Sequence, residues 1–247
     1  MQILKPLAVL TVVAMVCPMP VLAEAPVSVR VQVKASQEAR IASQMEGRVE
    51  SLPFRLGDRF RKGDLLVGFG CRHQEATLAA SQANQVRAAR TLESREKLLA
   101  MQAVSDLDVE LARAEKSSAE AEVERAAANV RDCRILAPFQ GRVSRVLVNQ
   151  WETVSRGTPL LEIVAGGPLE VEALVPSSWL VWLKKDQPFS LQVDELNTRV
   201  EARVTAIGAR IDPVSQTVLV RGRILEQPAG LLPGMSGSAV FGGTAGD

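Results

Sequence analysis

Cys71, His73 and Cys133 are the residues of this chain best suited to holding a metal or exchanging electrons. Thiolate and imidazole donors together are what a zinc site uses. Two cysteines by themselves suit a disulfide, or a buried reduced pair. His73 is the only histidine in 247 residues and stands at the start of a predicted helix, so no serine–histidine–acid set can be assembled around it. Gly234-Met235-Ser236-Gly237 falls in a strand–turn context and makes no phosphate-cradling loop. Lys62, on a predicted turn, raises a further possibility, a covalent lipoyl or biotinyl carrier.

The compartment decides how the cysteines are read. Lys5, the apolar run Leu7 to Val16 and the small-residue site Val21-Leu22-Ala23 read as an export signal cleaved near Glu24. The run is shorter than the ~20 residues of a membrane span and is followed by Pro18 and Pro20. Cys17 would suggest a lipid anchor, but Val16 before it is a poor fit to such sites. Cleavage leaves Cys71 and Cys133 in an oxidising compartment, where an isolated pair reads as a disulfide more often than as a metal site. The formal net charge of +1, the absence of tyrosine and 4% aromatic residues argue against a nucleic-acid partner.

The elements that must position these residues come as a repeat. Gly47-Arg48-Val49 through Lys62-Gly63-Asp64-Leu65-Leu66 matches Gly141-Arg142-Val143 through Arg156-Gly157-Thr158-Pro159-Leu160 at a constant offset of 94 residues. Each copy is β-rich, with turns at Leu56-Gly57-Asp58 and Arg61-Lys62-Gly63-Asp64 in the first. A carrier lysine belongs on the turn between two such halves. Lys62 lies inside the first half, and its counterpart is Arg156, which cannot be acylated.

Between the copies, from Arg72 to Arg131, glycine and proline vanish and helix formers dominate. Leu78, Gln85, Leu92 and Leu99 fall seven apart. Beyond a break at Ala103-Val104, Val109, Ala112, Ala119, Val123, Ala126 and Val130 continue a heptad seam that also holds Lys116. Ser105 reads as an N-cap, with Asp106 and Asp108 in the first turn. The pattern predicts two antiparallel helices of roughly 30 residues, about 45 Å long. The charges along them, among them Arg87, Arg90, Glu93, Glu110 and Arg113, read as a solvated face. Cys71 and Cys133 then stand one at each foot of the hairpin and are expected to be bonded, closing a separation of 62 residues. The chain-entropy gain from such a link is about 4 kcal/mol. A metal held by Cys71, His73 and Cys133 is the competing use of the same residues.

Val27, Val29, Val31 and Val33 alternate as a half-buried strand, and β signals resume after Ala165-Gly166-Gly167-Pro168, predicting a small antiparallel barrel. Ser177 to Lys185 reads as a short helix whose Trp179 and Trp182 close that core.

With Arg134-Ile135-Leu136-Ala137-Pro138-Phe139-Gln140-Gly141-Arg142-Val143, Gly157-Thr158-Pro159-Leu160-Leu161-Glu162-Ile163, Asp212-Pro213-Val214-Ser215-Gln216-Thr217-Val218 and Leu231-Leu232-Pro233-Gly234-Met235, the chain resembles the periplasmic adaptor, or membrane fusion protein, family of tripartite efflux pumps and type I secretion systems. The resemblance implies an elongated α+β fold. It has an export signal (1–23) and an N-terminal strand joining the barrel (24–45). A split lipoyl-like sandwich (46–70 and 134–165), an inserted hairpin (71–133), a β-barrel (166–242) and a disordered tail (243–247) complete it. It implies a non-catalytic bridge between an inner-membrane transporter and an outer-membrane channel, self-associated into a trimer or hexamer ring and needing no cofactor. Family tips dock on the channel through Arg, Leu and Ser at set spacings, which here implies Arg95, Leu98 and Ser105, with Arg95 one residue nearer Leu98 than the usual pattern. Many relatives continue into a membrane-proximal domain beyond the barrel, where this sequence ends soon after Met235. The contrasting expectation is a periplasmic solute- or metal-binding accessory module.

Overall fold

The computed structural model describes residues 28–242. The expected export signal, 1–23, and tail, 243–247, lie outside the described residues. The repeat governs the architecture. The first half supplies β2 (Glu38–Ala42), β3 (Gly47–Ser51), β4 (Arg59–Phe60) and β5 (Leu65–Phe69). The second supplies β6 (Arg134–Leu136), β7 (Gly141–Val146), β8 (Thr153–Val154) and β9 (Pro159–Ala165).

The halves do not form separate sheets. They exchange strands, giving the orders β2-β9-β7-β4 and β6-β5-β3-β8. These two orders are images of each other under the 94-residue offset. Gly47 pairs with Val154 and Arg48 with Thr153, while their images Gly141 and Arg142 pair with Phe60 and Arg59. Loop bonds repeat as well. The Ser43 N–H donates to the Thr158 carbonyl at 2.9 Å, and the Ala137 N–H donates to the Asp64 carbonyl at 2.9 Å. Val49, Leu66, Val67, Val143, Leu160, Leu161 and Ile163, from both halves, fill one buried core. Neither half could bury its apolar face alone. Each leaves an edge that only the other's strands satisfy, which is why the long insertion does not disrupt the pairing.

One boundary is corrected. The resemblance implies an N-terminal segment, 24–45, that joins the barrel as a whole. The structure divides that segment, with β1 (Ser28–Ala35) in the barrel and β2 in the sandwich against β9. The reason is the repeat, which begins earlier than the glycine motif. Residues 40–42 are the images of 134–136, and β6 lies against β5 as β2 lies against β9.

The barrel is closed, in the order β1-β10-β13-β12-β11-β14, with β10 (Leu169–Pro176), β11 (Pro188–Val193), β12 (Thr198–Asp212), β13 (Thr217–Ile224) and β14 (Ser236–Phe241). Alternate residues of each strand point inward, so Val33, Val171, Val175, Leu191, Val193, Val204 and Ala239 are buried. Gly237 is bare because a Cβ there would run into the Gln192 carbonyl. The helix expected over Ser177–Lys185 is shorter, a 3-10 turn at Ser177–Val181. Trp179 packs on Trp182 and Phe241 with ring centroids 5.1 and 5.6 Å apart, and this cluster anchors the turn into the barrel end rather than letting it run on as a helix.

Helix α1 (Arg72–Ala100) and helix α2 (Asp106–Asp132) form the hairpin, 29 and 27 residues long. Their facing residues repeat at steps of three and four: Leu78, Ser81, Gln85, Ala88 and Leu92 against Val109, Ala112, Lys116, Ala119, Val123, Ala126 and Val130. Ser81, Val109, Ala112 and Ala126 are buried, so small side chains sit where the helices approach most closely. Ion pairs along the helices are mostly within one helix, such as Lys97–Glu93 at 2.8 Å and Lys116–Glu120 at 2.9 Å. Arg113–Glu96, at 3.7 Å, crosses between them. All are exposed and contribute little.

Candidate functional site

The hairpin is spliced into the sandwich at the point where β5 would otherwise turn into β6. Cys71 is the N-cap residue of α1 and Cys133 the C-cap residue of α2. They are joined by a disulfide, with Cα atoms 6.1 Å apart, and both are buried against the sandwich core. The Phe69 N–H donates to the Cys133 carbonyl at 2.9 Å, which continues the β5–β6 ladder up to the bond. The Cys71 side chain caps no helical N–H. Its sulfur is committed to the crosslink. The two sulfurs that a Cys71–His73–Cys133 metal set would need are bonded to each other, and His73 is exposed on the first turn of α1.

At the other end the two helices meet in five residues, Met101 to Ser105. The Ala103 N–H donates to the Leu98 carbonyl at 2.9 Å and the Gln102 N–H to the Leu99 carbonyl at 2.8 Å. This is a Schellman closure, and Gln102 adopts its left-handed residue, with φ 57°. Ser105 then starts α2. Its Oγ accepts from the Asp108 N–H at 3.3 Å, and its own N–H donates to Asp108 Oδ2 at 2.9 Å, a reciprocal capping box. The Ser105 hydroxyl also donates to the Asp108 carboxylate at 2.6 Å. The Ser105 hydroxyl and then its backbone N–H hold the Asp108 carboxyl below the usual carboxylate range, and the charge of Arg95 adds to this.

Of the three expected tip residues, Ser105 and Leu98 lie in or beside the turn, and Arg95 is exposed one helical turn before it. Met101 and Leu107 add exposed apolar surface to the same end, which the expected spacing did not include.

A further residue was missed. Trp151 is the repeat image of Gly57, and both turn the chain with positive φ, 73° for the tryptophan and 86° for the glycine. Each donates its N–H to the other half's strand, Gly57 to Val143 at 2.8 Å and Trp151 to Val49 at 2.7 Å. The offset alone puts a bulky residue where its twin needs a glycine, and that was the signal available in the sequence. Trp151 is 60% exposed, with the Arg48 guanidinium 5.6 Å from the centre of its ring.

The split sandwich with a hairpin at the splice, followed by a six-stranded barrel, has known counterparts. The family description "RND MFP, barrel-sandwich hybrid domain" matches residues 37–165, more than half of the chain. The chain belongs to the RND membrane fusion protein family. A second description, "CusB-like, beta-barrel domain", matches residues 169–245.

Among curated relatives of this membrane fusion protein is the multidrug resistance protein MdtA of Proteus mirabilis. It is 28% identical over 225 residues, covering 81% of this chain and 54% of that protein. The antibiotic efflux pump periplasmic linker protein ArpA of Pseudomonas putida is 26% identical over 217 residues, covering 81% and 58%. The chain spans about half the length of the curated relatives it matches. Among solved structures, a putative efflux transporter from Bacteroides eggerthii superposes with a TM-score of 0.69 at 25% identity, covering 92% of this chain and 73% of that one. A MacA–MexA chimera carrying the Pseudomonas aeruginosa MexA α-hairpin gives 0.77 at 22% identity, covering 87% and 80%, and shares the fold.

Proposed function

We propose that this membrane fusion protein is a non-catalytic periplasmic adaptor. It bridges an inner-membrane transporter and an outer-membrane channel, and it works as a ring of three or six copies. The observation that carries the reading is the hairpin. Two helices of 29 and 27 residues rise from a disulfide-closed foot, at about 1.5 Å per residue, to a tip closed by a Schellman turn and a capping box. A stiff spacer on a β base suits spanning a distance. Similarity to periplasmic linkers of efflux pumps supports the partners and the compartment. Export by residues 1–23 and docking through Arg95, Leu98 and Ser105 belong to the same proposal.

The test is a photo-crosslinking residue placed at Leu98 in cells, with a second at Val86, midway along α1, as the control. Capture of an outer-membrane channel from position 98 and not from 86, together with a crosslinked ladder ending at trimer or hexamer, is the expected result. A monomer at every concentration, with no envelope protein captured from the tip, would leave the accessory-module reading in its place.

A further inference from the structure

The barrel has two poles with different surfaces. Strand directions assign every connection to one pole or the other, because neighbouring strands of the closed barrel are antiparallel throughout. At one pole are Ala35 and Leu169, which lead to and from the sandwich, with the Asp194–Asn197 turn and the connection from Leu225 to Met235. At the opposite pole are the start of β1 at Ser28, the end of β14 at Phe241, the connection from Ser177 to Gln187 and the turn from Pro213 to Gln216. The Ser177 N–H donates to the Gln216 carbonyl at 2.9 Å, so the last two are neighbours.

Val181 and Val214, at the crests of these connections, are 88% and 93% exposed, the two most exposed large apolar residues among the described ones. Ile211, 45% exposed, and the exposed Leu180 lie beside them. Neither crest is a loose loop. The Asp212 carboxylate accepts from the N–H groups of Val214 and Ser215, both at 2.9 Å, which fixes the turn that holds Val214 out. Val181 stands in the chain between Trp179 and Trp182, whose rings pack on each other, with Trp179 also on Phe241. Around the crests stand the exposed cations Lys184, Lys185 and Arg210. Of the acids among the described residues at this pole, Asp212 is engaged by its own turn, and Asp186 remains. Acids gather at the sandwich-side pole instead, in Asp194, Glu195 and Glu226.

We infer that the barrel pole opposite the sandwich rests directly on an anionic phospholipid bilayer, with Val181 and Val214 dipping into the interface and Lys184, Lys185 and Arg210 meeting lipid headgroups. Two small apolar crests on adjoining connections, with exposed lysines on one of them, suit a shallow lipid interface, where short apolar side chains enter the headgroup boundary and cations meet anionic headgroups. The contact is additional to the bridging role. It concerns a surface that the channel-docking tip does not include, so vesicle binding and tip crosslinking succeed or fail independently.

The full chain carrying Trp151→Phe leaves Trp179 and Trp182, both at this pole, as the only tryptophans. It is mixed with vesicles of phosphatidylethanolamine and phosphatidylglycerol containing brominated lipid, and with phosphatidylcholine vesicles as the neutral comparison. Fluorescence quenching on the anionic vesicles, stronger than on the neutral ones and reversed by high salt, is expected. Lys184→Gln with Lys185→Gln should weaken partitioning at least tenfold, at roughly fivefold per lysine at low salt. Val181→Asp with Val214→Asp should weaken it by roughly tenfold as well, with unchanged far-UV circular dichroism, because both side chains are exposed in the free protein. Absence of quenching overturns the inference, whether the protein stays free or binds vesicles through another segment. So does binding that either pair of substitutions leaves unchanged. A pole that docks only on a membrane protein gives no signal with pure lipid and falls in the same class.

Discussion

Gly57 and Trp151 occupy one position of a repeat and solve it differently. The turn requires a left-handed residue, because its N–H must reach the partner half's strand. Gly57 meets that requirement freely, and a Cβ at that site would touch nothing within 4 Å. Gly57→Ala should therefore cost about 1 kcal/mol from backbone strain alone, read as a fall in the chemical-unfolding midpoint. Trp151→Gly should leave stability within about 1 kcal/mol of wild type. Relief of strain is offset by the lost contact with Arg48 and by a more flexible unfolded chain. A large loss there would mean that Trp151 is held by packing not evident from its exposure. The hairpin tip offers the converse experiment. Gln102 sits at the Schellman position that favours glycine, so Gln102→Gly should stabilise the protein by about 0.5–1 kcal/mol in thermal unfolding. Ser105→Ala, which removes a capping box, should cost about 1 kcal/mol by the same measurement.

The hairpin as an element depends on its two ends more than on its seam. The seam is alanine-rich, holds a buried serine, and takes in Gln85 and Lys116. Its apolar content is low for helices of this length, so the links at foot and tip matter. Replacing both Cys71 and Cys133 by serine should lower stability by up to about 4 kcal/mol, measured by denaturant titration, since the bond closes a 62-residue loop of the unfolded chain. Resistance of both native thiols to alkylation before reduction is the accompanying check. The tip carries a pH signature. The Asp108 carboxyl is held low by Ser105, so its folded state favours the ionised form. That contribution is fully present above the ordinary aspartate pKa of about 3.9 and disappears as pH falls through the lowered value. Helicity of wild type should thus fall more steeply in acid than that of Asp108→Asn, and the two curves should run parallel above about pH 5.

At the scale of the whole molecule, the sandwich closes without the hairpin's help. The residues that bracket the insertion stand 6.1 Å apart, a gap a short loop spans. Replacing residues 72–132 by a few glycines and serines should leave a folded, soluble protein that keeps its β spectrum by circular dichroism and loses channel capture. Much of this could be read in the sequence. The offset of 94, the stretch without glycine or proline and the cysteines at its borders are local or periodic features, and they specify a β base, a helical hairpin and its staple. Heptad steps and the Ser105 cap placed both helices and their turn, because helix patterns are short-range in the chain. The sequence did not reveal that the halves exchange strands, that residues 38–42 leave the barrel for the sandwich, or that two valines crest one pole. Strand partners are chosen by which edges remain unpaired after the chain has folded back on itself. Exposure is set by what neighbours cover. Both depend on residues from tens to more than a hundred positions away, and only the tertiary structure brings those together.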